Sequence, residues 1–140
     1  MTRKEAREQA FFIIFEYSFC GGTAEELLEL AGQCRELEPD EYTVEVVRGA
    51  LDRLPILDEK IYTYLKGWKI NRLSRVAISV LRLAIYEILF CSDVPVGVSI
   101  NEAVELGKTY GGENDSGYIN GVLGAFVRAE ASEGEPCEQQ

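Results

Sequence analysis

The sequence predicts an all-α protein of six or seven helices, arranged as one bundle or as two packed sub-bundles. Three observations predict it. Apolar residues recur at helical spacing along most of the chain, capping signals precede the apolar runs, and no stretch alternates apolar with polar between hairpin turns. At 140 residues the chain suits one domain, and such a chain buries roughly 68% of its unfolded surface without help from disulfides or metal.

The first helix begins at Thr2, with Glu5 three residues on as a capping box, and Gly21-Gly22 ends it. Ala6, Ala10, Ile13, Ile14 and Tyr17 form its apolar face, which Phe11, Phe12 and Phe15 widen. Thr23 and Glu26 open a second helix in the same way, with Leu27, Leu28, Leu30 and Ala31 inward. After Pro39, Asp40 caps a long helical region from about Glu41 to Lys66. Pro55 has no N–H to donate there, so the region is expected to kink or split into two abutting helices. Gly67-Trp68 closes it, and Lys69 to Ser74 is a short connector or a single helical turn.

The most persistently apolar run is the first half of the stretch from Arg72 to Lys108. Val76, Val80, Leu83 or Ala84, and Ile88 form one stripe, and Leu81, Ile85 and Leu89 form a second, which marks a central helix with neighbours on most sides. Cys91-Ser92-Asp93 and Pro95 stop it. Ser99 and Glu102 read as another capping box, opening a helix that packs through Ala103, Val104 and Leu106. Residues 111–117 form a loop with Asp115 or Ser116 as cap, residues 118–127 form the last helix, and the acidic tail from Ser132 is expected to be disordered.

The chain carries a net charge of −10, which argues against indiscriminate coating of nucleic acid. Yet from Lys60 to Tyr86 there are six cations (Lys60, Lys66, Lys69, Arg72, Arg75, Arg82) and no acid. This segment reads either as a solvated face with lysine stems over the core or as a phosphate-contact surface. Four cysteines without a CxxC pairing, and no histidine at all, give zinc and haem sites little to stand on and suit a reducing cytoplasm. No run is long enough to span a bilayer, and Glu5 and Glu8 fall where an export signal needs an apolar block.

No catalytic site is read. A histidine base is impossible, a phosphate-cradling GxxxxGK[ST] is absent, and the carboxylate pairs lie at helix starts or on exposed faces. No cofactor and no metal is expected. Asn101 and Asn120, set in apolar helices, are expected to tie helix ends or loops together, or else to meet a ligand. Gly121 and Gly124 are expected to let helices approach closely, and Glu87 to make an interhelical hydrogen bond from a core face.

Four segments, TRKEAREQAFFIIFEY, LKGWKINRLSRVAISVLRLAIYEILF, DVPVGVSINEAVELGKTYG and YINGVLGAF, occur in this order from Thr2 to about Val127. Together they resemble the NusB family, bacterial transcription antitermination factors. The resemblance implies two packed three-helix sub-bundles, approximately 1–67 and 68–131, within one domain of residues 1–131, followed by a tail at 132–140. It also implies a cytoplasmic protein without catalysis that binds boxA-type single-stranded RNA of ribosomal RNA operon transcripts. Ribosomal protein S10, other Nus factors and the RNA polymerase complex are the implied partners. The family's RNA-contacting positions correspond to Arg3, Lys4, Arg7, Lys69, Arg72 and Arg75, and Ala77 stands where many members carry an acid. Its S10-facing surface corresponds to Tyr86, Glu87, Asp93, Glu113, Asn114, Asp115 and Tyr118. Two other readings remain: an RNA-docking module like the one fused ahead of RNA cytosine-5 methyltransferases, and a helical adaptor that binds only protein.

Overall fold

The computed structural model describes residues 2–35, 40–65 and 73–131. Seven α-helices follow in order: α1 (Arg3–Cys20), α2 (Ala24–Arg35), α3 (Glu41–Asp52), α4 (Leu54–Thr63), α5 (Arg75–Phe90), α6 (Val96–Tyr110) and α7 (Asp115–Phe126). A π-helical turn, Val127–Ala131, extends the last helix. Among the described residues there is no strand. The connector at 66–72, with Lys66, Trp68, Lys69 and Arg72, and the tail at 132–140 lie outside the described residues.

Local chemistry sets most of the boundaries. Thr2 and Glu5 bond reciprocally to each other's backbone N–H at the start of α1, and Thr23 and Glu26 do the same for α2. Gly21 at φ 69° and Gly22 at φ 97° turn the chain between them, a backbone region that L side chains disfavour. The carboxylate of Asp40 accepts the Tyr42 N–H. Pro55 falls in the first turn of α4, where its missing N–H costs nothing, so the long helical region splits at Arg53.

The second half departs from the sequence reading in several places. Helix α6 starts at Val96 behind Pro95, not at the expected box; Ser99 lies inside the helix and its hydroxyl donates to Glu87, while Glu102 reaches Lys4. Helix α7 starts at Asp115, and no side chain caps it at Asn114. Asn101 and Asn120 are exposed and tie nothing in the core together. Leu30 and Leu89 are also exposed. Gly121 has open space around it. The close approaches occur instead at Gly49, where a Cβ would sit 2.1 Å from the Tyr86 hydroxyl, and at Gly107 against Ile119.

Helix α5 is the axis. It packs against α1, α3, α4, α6 and α7, while α1, α2 and α3 pack on one another and α6 packs on α7. Val80, Leu81, Leu83, Ala84 and Ile85 are fully enclosed within one continuous core. Helices α1 and α5 run antiparallel, since Arg7 meets Glu87 at one end and Arg75 meets Ser18 at the other.

Glu87, fully buried on α5, is the polar centre of this packing. Its carboxylate accepts from Arg7 Nε on α1 at 2.8 Å, from Ser99 Oγ on α6 at 2.9 Å, and from the Tyr42 hydroxyl on α3. Burial, and then the bond to Glu87, hold the Tyr42 phenol far above its ordinary range, so it stays a donor. Burial likewise pushes the neighbouring Cys91 thiol up to about 11.

Glu87→Ala would leave the Arg7 guanidinium buried without its partner, and we expect a loss of about 3–5 kcal/mol in urea unfolding. Removing the exposed Arg48–Glu25 pair by Arg48→Ala should cost less than about 1 kcal/mol in the same assay. A pH dependence is expected at the C-terminus. Burial opposes ionisation of Glu130, but the Lys60 ammonium and Tyr64 hydroxyl outweigh it and hold the carboxyl below its usual range. That contact contributes fully above the unfolded value of about 4.3 and is lost as pH falls through the lower folded value. Amide resonances of residues 127–131 should therefore shift on acidification before the far-UV signal collapses.

Candidate nucleic-acid interface

The cations named from the sequence do not gather into one strip. Arg3, Lys4 and Arg7 sit at the first turns of α1, and Arg75 sits beside the last turn, at Ser18. A helix rises about 1.5 Å per residue, so the two groups lie about 22 Å apart along α1. Lys69 and Arg72 belong to the connector outside the described residues.

At the first end, every cation has an acidic neighbour. Arg3 lies flat over the Tyr42 ring, 3.9 Å from its centroid, with its edge 3.7 Å from Asp93. Lys4 Nζ is 2.9 Å from Glu102. Arg7 is buried, bound to Glu87, with Glu102 at 4.0 Å. Arg7 therefore cannot serve as the surface RNA contact expected from the sequence; it holds α1 to α5.

The second end is more open. Tyr17, Ser18 and Gly21 from the end of α1, with Leu73, Arg75, Ile78 and Arg82 from the start of α5, line a groove of about 600 Å³. Arg82 is clamped by Asp58 through two bonds of 2.9 and 3.0 Å, with its guanidinium 5.9 Å from the Tyr17 ring. Arg75 makes no ion pair among the described residues. It donates to the Ser18 carbonyl and lies 4.5 Å from the centre of the Phe19 ring, which is 60% exposed. Tyr17 is half-buried on the groove wall. The sequence reading missed Phe19, though a large apolar residue just before Gly21-Gly22, past the inward stripe, was the available signal. It also missed Asp58, which removes Arg82 from the free cations.

The start of α5 is fixed from α7. Ser74 Oγ accepts the Ala77 N–H at 3.0 Å and donates to Asp115 Oδ2 at 2.7 Å, and Asp115 also accepts the Gly112 N–H at 2.8 Å. Asp115 is buried, as are Tyr86 against Gly49 and Glu87 within its quartet. These three residues, expected on a partner-facing surface, have no surface to offer. Asp93, Glu113 and Asn114 are exposed, and Tyr118 is half-buried. Asp93 and Glu113 lie at opposite ends of α6, about 22 Å apart by its rise. Ala77 is fully buried under the first turn of α5. Among the described residues no acidic or cysteine cluster could hold a metal, and no helix is long and apolar enough to cross a membrane.

The model of the NusB family matches residues 4–128. The transcription antitermination protein NusB of Pelotomaculum thermopropionicum is 41% identical over 133 residues, covering 92% of this chain and 91% of the relative. Among solved structures, NusB of T. maritima superposes with a TM-score of 0.81 at 34% identity, covering 96% of both chains. A crystal structure of antitermination factors NusB and NusE in complex with dsRNA superposes with a TM-score of 0.80 at 28% identity, covering 91% of this chain and 96% of that one.

Asp115→Ala would strip two donors of their acceptor. Hydrogen exchange at the Ala77 and Ile78 amides should quicken, and urea unfolding should show a loss of about 1–3 kcal/mol.

Proposed function

The chain belongs to the NusB family of transcription antitermination proteins, and from that premise we propose that it works by binding RNA, without a catalytic step. Its ligand is boxA-type single-stranded RNA from ribosomal RNA operon transcripts. Its companion is ribosomal protein S10 (NusE), within a complex of Nus factors on RNA polymerase in the cytoplasm.

The observation that carries the RNA reading is the groove at the α1–α5 junction. It combines an aromatic wall, Tyr17, with Arg75, which has no acid of its own among the described residues, and an exposed ring, Phe19, at its rim. Unpaired bases are recognised by stacking on aromatic faces and arginine planes, which a duplex does not offer. The N-terminal cations Arg3 and Lys4, at the far end of α1, give a strand leaving the groove a second anchor, while Arg7 supports them from below. The connector cations Lys69 and Arg72 precede Ser74 in the chain and complete the set.

Long-range electrostatics explain the need for a companion. A body of charge −10 repels a polyanion, and a few phosphate contacts give modest, salt-sensitive affinity. A basic ribosomal protein docked on exposed acids such as Asp93, or on Glu113 beside Asn114, offsets that field and adds contacts of its own. Tyr118, half-buried near the second spot, belongs to the same docking surface, and the buried Tyr86, Glu87 and Asp115 shape it from inside. The two halves, residues 1–67 and 68–131, act as one rigid platform in this reading, with 132–140 as a tail.

A protein-only adaptor is the rival reading, favoured by the acids that accompany every N-terminal cation. The readings separate in one experiment, binding of a boxA-like RNA and a scrambled RNA over a salt series, with and without S10. Tyr17→Ala should weaken boxA binding by about 1–3 kcal/mol if a base stacks there. Arg75→Ala should reduce the slope of log affinity against log salt by about 0.7. S10 should raise the affinity. Equal binding of both RNAs, untouched by these substitutions, would leave the adaptor standing.

A further inference from the structure

We propose that Asp93 and Glu102 are a built-in competitor for RNA, occupying Arg3 and Lys4 until a basic protein surface pairs with the acids instead. The inference rests on the RNA reading above and specifies how the second anchor is regulated.

Lys4 and Glu102 are 98 residues apart in sequence, and their contact at 2.9 Å exists only because α1 and α6 run side by side. Asp93 comes from the turn between α5 and α6, and faces Arg3 at 3.7 Å. The two acids thus reach the start of α1 from different elements, each matched to one cation. Neither cation is buried: their side chains are 46% and 68% exposed, against 5% for Arg7. Tyr42 holds Arg3 by its face, leaving the N–H edge to choose between Asp93 and a phosphate. Of the two acids, Glu102 is held as well, while Asp93 is 72% exposed. Glu102 is 24% exposed, with Arg7 at 4.0 Å behind it, so it remains in place when Lys4 leaves. A pair that is exposed, monodentate on the lysine side and screened by salt is weak enough to exchange. A phosphate must therefore displace a carboxylate at each position. A cationic partner surface that pairs with Asp93 and Glu102 removes that competition and couples its own binding to that of RNA.

The test uses the full chain with Asp93→Asn and Glu102→Gln, singly and together. A control double variant, Glu29→Gln with Glu59→Gln, removes the same charge at exposed acids outside any ion pair among the described residues. Affinity for a boxA-like RNA oligonucleotide is measured over a salt series, with and without S10, and thermal melting checks folding. The Asp93/Glu102 double variant should bind RNA alone ~2- to 10-fold more tightly than the control, the range expected for releasing two exposed pairs. Its salt slope should steepen by up to about 1.4, for two added single-strand phosphate contacts. S10 should then raise affinity by a smaller factor than it does for the natural chain. Affinity and slope matching the control, or an unchanged S10 factor, would overturn the proposal. If Glu102→Gln melts early through loss of support for Arg7, Asp93→Asn alone carries the test, with about half the expected effect. Charge reversal of Arg3 and Lys4 separates the levels. If reversal weakens RNA binding but acid removal has no effect, only the competitor fails; if reversal also has no effect, the second anchor itself fails.

Discussion

The buried contact between Arg7 and Glu87 is the constraint on which the rest of the structure depends. A carboxylate with no exposure is tolerable only when its lone pairs are filled, and three helices supply the donors: α1 through Arg7, α3 through Tyr42 and α6 through Ser99. Apolar packing alone would let α1 slide along α5. The charged bond fixes the register, which sets where Arg3 and Lys4 emerge at one end and where Ser18 meets Arg75 at the other. The position of these surface cations is thus tied to a salt bridge buried beneath them.

The same register explains how an acidic protein keeps cations for use. Most described cations are spoken for: Arg82 by Asp58, Lys60 by Glu130, Arg48 by Glu25 and Lys108 by Glu105. Arg75 is held by a carbonyl and a ring face instead, which orient it without cancelling its charge. Orientation without neutralisation is what a phosphate or base contact requires. At the other end of α1 the cations are both oriented and neutralised.

The fold was legible in the sequence because its signals are local. Capping boxes at Thr2 and Thr23, the Gly21-Gly22 stop, Asp40 and Pro55 act through neighbours a few residues away, and the structure has helix boundaries at or next to each of them. Where tertiary partners compete, the local signal loses. Ser99 and Glu102 have the spacing of a cap, but Glu87 and Lys4 claim their side chains and Pro95 starts the helix. Asp115 has the look of a cap and instead serves Ser74 and Gly112. The site was legible only in part. Residue type identified the cations, and resemblance placed them, but whether a cation faces a phosphate or a buried carboxylate is decided by contacts 80 or more residues away, as with Arg7. Spacing carries no trace of such contacts. Tyr86 shows the same limit: its ring lies in the notch left by Gly49, a pairing across two helices.

The neighbours of α1 also impose an order on how the chain is made. Its contacts with Glu87, Glu102 and Tyr110 span 80, 98 and 102 residues. During synthesis from the N-terminus, the first helix leaves the ribosome long before the α5 side of its docking surface exists. Closing so large a loop adds little entropy beyond closing a moderate one, so the delay is one of timing more than of free energy. Until α5 has emerged, the first helix can pack only on α2 and α3, and that interval is when the nascent chain most needs a chaperone's cover.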